Sequence, residues 1–205
     1  MFITIDGPHG VGKTTLVGDL RHELAMVGHR LNVVTTKEPT QWSIGKLLRG
    51  ISSYSGKALA CIAAADRHWH IEQEIRPALA RGNLVISDRY VESSLVLQRL
   101  DGCSLDYIWN LHEGILVPDL SIILLARPWV LAKRLKERGK RQLLNRFEDG
   151  EENWQKSPGY YRDAARFLRG KGFNVLLFSN ESRSIKGLAK EIVRNIQKLP
   201  QKSRA

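Results

Sequence analysis

Gly7-Pro8-His9-Gly10-Val11-Gly12-Lys13-Thr14 is the stretch that decides the fold. Its spacing is that of a phosphate-binding loop, G-x-x-x-x-G-K-[ST]. The flanks supply the context this motif needs. Phe2-Ile3-Thr4-Ile5 enters as an apolar, β-branched strand, and Thr15-Leu16-Val17 through Ala25-Met26 leaves with the apolar spacing of a helix. The loop glycines let backbone N–H groups curl around an anion with no Cβ in the way, and the helix N-terminus adds partial positive charge. In that setting Lys13 reaches the outer phosphates, the Thr14 hydroxyl ligates Mg²⁺ and Thr15 opens the helix beside them. A glycine-rich turn before an ordinary helix would explain the glycines, but not the Lys–Thr pair behind a strand. The sequence reads as a binder of a nucleoside triphosphate.

Outward from the loop, apolar strands alternate with helical segments: Phe2–Ile5, Leu31–Thr35, Leu84–Ser87, Leu120–Leu125 and Val175–Phe178. Strands covered on both faces read as continuous Val/Ile/Leu runs, as these do. The alternation predicts an α/β fold of the P-loop type, a three-layer α/β/α with a five-stranded parallel sheet and helices on both faces. Ligands in such sheets gather at the carboxyl ends of the strands. A long helix is expected from Ala58 to Ala80, with Pro77 kinking or shortening its end, and Ile185, Leu188, Ile192, Ile196 and Leu199 mark a final amphipathic helix. Tyr160-Tyr161 reads as packing at the start of the penultimate helix, and His68 and His70 as packing or surface residues.

The strand Leu84-Val85-Ile86-Ser87 ends in Asp88, the form of a Walker B strand, whose carboxylate holds Mg²⁺ directly or through water. Arg89 follows and can clamp a phosphoryl oxygen with its planar fork. The formal net charge of +11 raises nucleic acid as a partner. Its distribution argues against that. Lys133, Arg134, Lys136, Arg138, Lys140, Arg141 and Arg146 crowd a segment with Glu137 as its acid, suited to a short lid near 139–150 that closes over phosphates. The basic stretch from Arg183 to Arg204 fits a solvated helix face with a frayed end. Residues 1–205 suit a single domain, the apolar runs are too short to span a membrane, and there is no room for a signal peptide. Cys61 and Cys103 lack metal-type spacing and fit a reducing, cytoplasmic setting.

At this point the chain resembles the thymidylate kinases, within the P-loop nucleoside monophosphate kinases. Ile3-Thr4-Ile5-Asp6-Gly7 through Thr15 is similar to that family's opening. Thr36-Lys37-Glu38-Pro39-Thr40 resembles its T-R-E-P segment and Ala63-Ala64-Ala65-Asp66-Arg67 its F-A-A-D-R helix. Asp88-Arg89-Tyr90-Val91-Glu92-Ser93-Ser94-Leu95 is close to D-R-Y-x-x-S-S-L, Val117-Pro118-Asp119-Leu120 to the entry of strand four, and Asn145-Arg146-Phe147-Glu148 to the lid's D-R-x-E. The resemblance implies transfer of the ATP γ-phosphoryl group to the 5′-phosphate of a pyrimidine nucleoside monophosphate, with Mg²⁺. It implies Lys13 on the donor side, Arg89 with Lys37 on the acceptor phosphate, Arg134, Arg138, Arg141 and Arg146 closing from the lid, and Asn180 near adenine. Arg67 and Ser94 stand where the family touches the pyrimidine edge, and Glu38, Ser93 and Gln98 complete that pocket. Family members often dimerise through helices, which makes the Ala58–Ala80 helix a candidate for self-association.

Four positions depart from the family pattern, all in the acceptor pocket. His9 replaces an acidic or arginine loop residue, Lys37 the T-R-E-P arginine, Ala63 the base-stacking phenylalanine and Leu97 the S-S-x-A-Y-Q tyrosine. Together they suggest a roomier pocket, so the acceptor is either dTMP or a modified or ribose-bearing pyrimidine nucleotide, unless Trp42 or Trp69 refills the space. Two other functions stay in view. A kinase acting on a hydroxyl needs a general base, with Asp88, Glu38 or Glu92 as candidates, and a nucleic-acid-associated ATPase would use the basic tail.

Overall fold

The computed structural model describes residues 1–26, 32–50, 53–137, 151–181 and 185–199, with the side chains of 151–154 left out of the description. The strands are β1 (Phe2–Asp6), β2 (Val33–Lys37), β3 (Leu84–Asp88), β4 (Leu120–Leu125) and β5 (Val175–Ser179). All pair in parallel, in the order β2-β3-β1-β4-β5. This is the α/β architecture expected from the sequence. Because side chains alternate along a strand, the covered strands divide their apolar residues between two cores. Phe2, Val85, Ile123 and Leu125 face one core, and Ile3, Ile5, Leu84, Ile86, Ile122 and Leu124 face the other. The continuous apolar reading holds for the three inner strands. The edge strands β2 and β5 alternate with exposed positions instead.

Helix α1 (Lys13–Met26) leaves the phosphate loop and buries Leu16, Leu20 and Leu24 beneath the sheet, where α9 (Ile185–Gln197) inserts Leu188, Ile192 and Ile196 beside it. With α7 (Pro128–Glu137) they form one outer layer. The other layer holds α3 (Gly56–His70), α4 (Arg76–Ala80), α5 (Val91–Leu100), α6 (Leu105–Asn110) and α8 (Glu151–Gly170). A short helix α2 (Ser43–Gly50) follows β2. Among the described residues no helix is long and apolar enough to cross a membrane.

Two expectations need correction. The second strand runs from Val33 to Lys37, displaced toward the C-terminus, so Thr36 and Lys37 belong to the sheet edge. The long helix is interrupted by a π-helical turn, Ile71–Ile75, in which the Arg76 N–H reaches the Ile71 carbonyl. Pro77 explains the interruption. It has no N–H to continue the α-helical ladder, and it is tolerated at the opening of α4 because that position needs no donor.

Candidate active site

The site collects at the carboxyl ends of β1, β2 and β3, and the local sequence explains why. At Gly7 the backbone sits at φ +142°, and a Cβ there would lie 2.3 Å from the Leu124 carbonyl, so a side chain is excluded. Gly12 has φ +99°, and a Cβ there would lie 3.0 Å from the Asn180 amide and from Ile185. Lys13 is buried and its ammonium donates to the carbonyls of Gly7 at 2.7 Å and Pro8 at 3.0 Å. From α1 the Thr14 hydroxyl donates to Asp88 Oδ2 at 2.6 Å. The other Asp88 oxygen is buried with no hydrogen-bond partner among the described residues. A hydroxyl and a carboxylate this close, with an acceptor oxygen left over, form an all-oxygen set suited to a hard divalent cation.

Arg89 follows Asp88 in a left-handed conformation, φ +80°, which a non-glycine residue adopts only when its neighbours impose it. Its N–H donates to the Ile5 carbonyl at 2.9 Å and its carbonyl accepts from Ser87 Oγ at 2.7 Å. The guanidinium donates to Ser93 Oγ at 3.0 Å and lies 3.9 Å from Asp6. Asp6 is the residue that sequence reasoning missed as an organiser. Fully buried, it accepts from the N–H groups of Gly7, Tyr90 and Ser93, from the Ser93 hydroxyl and from the Tyr161 hydroxyl. Tyr161 lies in the middle of α8 and does more than pack, a correction to the sequence reading. The signal available was the acid immediately before the first loop glycine.

The acceptor-side residues form a second buried network. Arg67 contacts Glu38 at 2.7 and 2.9 Å, Ser94 Oγ at 2.7 Å, the Tyr90 carbonyl at 2.8 Å and His112. Burial pushes the Glu38 carboxyl up, but the Arg67 charge and His70 outweigh it and hold it below the usual carboxylate range. His70, read from sequence as packing or surface, is fully buried between Glu38 at 3.0 Å and Thr36 at 2.7 Å. Thr36 donates to Glu74, which also holds the Trp42 indole N–H. Trp42 and Trp69 pack against each other at a tilt of 51°, ring centroids 5.4 Å apart, with Trp42 more than half exposed. Asp66 fixes the loop after β2 through Thr40, and Lys37 stands exposed at the strand end, in register with Asp88. Ala63 is half-buried, Leu97 and Gln98 are buried, and Gln98 Oε1 has no partner among the described residues. Among the described residues no cluster of three or more His, Cys, Asp or Glu side chains is placed to hold a metal ion.

On the donor side, His9 is half-buried and Asn180 fully buried, its amide donating to the Val11 carbonyl at 2.6 Å. Asn180 thus supports the loop from within the protein. Arg134 reaches the Glu181 carbonyl at 3.5 Å, and Glu181 also binds Arg127, a pair that sequence reasoning did not find. Arg138, Arg141, Arg146 and the 139–150 lid lie outside the described residues.

The profile of the thymidylate kinase family matches residues 5–187. The chain belongs to the thymidylate kinase family. A probable thymidylate kinase of Pyrobaculum calidifontis is 37% identical over 155 residues, 74% of this chain and 76% of the relative. One of Thermococcus onnurineus is 39% identical over 136 residues, 60% and 65% of the two chains. The crystal structure of thymidylate kinase from Ehrlichia chaffeensis superposes with a TM-score of 0.71, covering 96% of this chain and 98% of that one, at 21% identity. That likeness carries the fold, and family membership makes the chain a nucleotide kinase.

Proposed function

We propose that the chain transfers the γ-phosphoryl group of ATP to the 5′-phosphate of a pyrimidine nucleoside monophosphate, with thymidylate, the acceptor in its relatives' names, as the first candidate. The observation that carries this reading is the pairing of a phosphate-loop lysine, held by the Gly7 and Pro8 carbonyls, with an arginine at the end of the neighbouring strand β3, held by Ser93 and Asp6. Phosphoryl transfer asks little covalent chemistry of the protein. It requires alignment of two anions and stabilisation of charge developing on the transferred group. The loop N–H groups and Lys13 hold the donor, and Arg89 with Lys37 holds the acceptor phosphate. Thr14 and Asp88 would hold Mg²⁺, which when bound screens the phosphate oxygens.

The carboxylates that a hydroxyl kinase would use as a base are occupied elsewhere. Asp88 accepts from Thr14 with one oxygen and is the carboxylate assigned to Mg²⁺, Glu38 is committed to Arg67 and His70, and Glu92 is wholly buried. Nothing in the network favours nucleic acid as the partner. A coupled assay of ADP release across dTMP, dUMP, UMP, CMP and thymidine tests the reading. Turnover with monophosphates and none with thymidine supports it, whereas turnover of thymidine alone refutes it. Comparison of dTMP with UMP and with 5-substituted pyrimidines measures the effect of Ala63 and Leu97. Equal efficiency would mark the pocket as permissive.

A further inference from the structure

At the edge of the sheet opposite the phosphate loop, where α5 and α8 end and α6 begins, lies a cleft of about 550 Å³. Small-molecule sites run to roughly 300–1,000 Å³. Arg99, Arg166 and Lys171 line it together with one carboxylate, Asp163, which leaves two positive charges unmatched. Asp163 serves two of the cations loosely, at 3.8 Å from Arg99 Nη2 and 3.4 Å from Arg166 Nη1. The first distance is beyond hydrogen-bond range. Arg99 Nη1 is buried with no hydrogen-bond partner among the described residues, and the guanidinium lies over the Tyr160 ring, 4.1 Å from its centroid. Arg67 spends its donors on Glu38, Ser94, the Tyr90 carbonyl and His112, whereas Arg99 holds its donors in reserve. The Lys171 ammonium has rings for neighbours, 5.4 Å from the centroid of Phe167 and 5.6 Å from that of Trp109. Leu105 and Phe167 add an apolar wall.

We propose that this cleft is a second ligand site, remote from phosphoryl transfer, that takes a phosphate monoester joined to an apolar ring: the phosphate meets Arg99, Arg166 and Lys171, and the ring packs on Leu105 and Phe167. A phosphate monoester carries a charge of about −1.5 to −2 at pH 7, which matches the two unmatched cations, while a lone carboxylate would leave one of them over. Guanidinium forks suit phosphate oxygens in geometry as well as charge. The position gives the site a consequence. The helices that flank it are also the ones that hold Asp6, α5 through Ser93 and α8 through Tyr161, so a ligand across the cleft ties together the two supports of that carboxylate.

The test is titration calorimetry of phenyl phosphate and of inorganic phosphate, with ADP and dTMP, which cannot react with each other, saturating the substrate sites. Wild type is compared with Arg99→Met, Lys171→Met and Phe167→Ala. Wild type is expected to bind one equivalent of phenyl phosphate, about tenfold more tightly than inorganic phosphate, from burial of the ring. Arg99→Met and Lys171→Met weaken both probes about tenfold or more, the size of one charge-assisted hydrogen bond. Phe167→Ala weakens phenyl phosphate and leaves inorganic phosphate as it was. In both methionine variants kcat and the KM for dTMP stay within about twofold of wild type, since neither side chain lies at the transfer site. No saturable binding to wild type, undiminished binding in both methionine variants, equal affinity for the two probes, or loss of dTMP turnover in Lys171→Met would each overturn the proposal. If Arg99→Met does not fold, Lys171→Met decides, because its side chain is exposed. A wild type inactive on every monophosphate sinks the kinase reading alone, since binding in the cleft is the part that Lys171→Met removes.

Discussion

A carboxylate whose two oxygens are saturated with hydrogen bonds fixes every group that donates to it, and Asp6 does this for both halves of the site. Gly7 of the phosphate loop and Ser93 beside Arg89 share it. Asp6→Asn turns one acceptor oxygen into a donor facing donors. Denaturant unfolding is expected to show a loss of about 2–4 kcal/mol, and a loss below 0.5 kcal/mol, the size of a neutral surface change, would show that Asp6 organises nothing. Asp88→Asn keeps an acceptor for Thr14 but removes the negative charge of the cation set. Turnover should fall about 10²-fold or more, with a raised Mg²⁺ requirement, and an unchanged Mg²⁺ dependence contradicts the assignment.

Two buried groups give opposing pH dependences. Glu92 lies fully buried against Thr4, and burial, then Asp6, raises its pKa from 4.5 to about 7. The folded state therefore binds more protons than the unfolded one, and stability falls as pH rises from 4.5 toward 7. His112, lowered from 6.5 to about 3, works the other way, so stability rises with pH across that range. Glu92→Gln removes the first arm. At pH 8 the variant should be more stable than wild type by on the order of 3 kcal/mol. Its stability should also climb more steeply through mildly acidic pH. An unchanged slope would rule out titration of Glu92 in the fold.

At the scale of elements, the phosphate loop is braced from behind by the end of β5. Asn180→Ala removes the bond to the Val11 carbonyl and leaves that acceptor buried, so the KM for ATP should rise several-fold while the KM for dTMP holds. Equal changes in both would place Asn180 in general stability. The loop, the inner strands and the Walker B end were legible in the sequence because each carries a local signature: glycine spacing, apolar runs, a terminal carboxylate. The π-helical turn was only half legible. Pro77 announced a break, but nothing local specifies that the break is absorbed by one wide turn. The edge strand β2 was misplaced because Thr36 and Lys37 are polar, and strand pairing there is decided by β3 rather than by composition.

In the whole molecule, parallel pairing brings Asp6, Lys37 and Asp88 to the carboxyl end of the sheet although long stretches of sequence separate them. Long-range placement of this kind is where the sequence was least informative. The Asp6 hub and the contact of His112 with Arg67 join residues far apart in the chain, and no local signature ties those residues to one another. The central claim is that Lys13 and Arg89 grip two phosphates from opposite ends. The most direct measurement is the kcat/KM for dTMP of Arg89→Met beside wild type, with ATP affinity measured by titration calorimetry. The account predicts a loss of about 10²-fold or more in kcat/KM with ATP affinity retained; undiminished transfer to dTMP by the variant would contradict it.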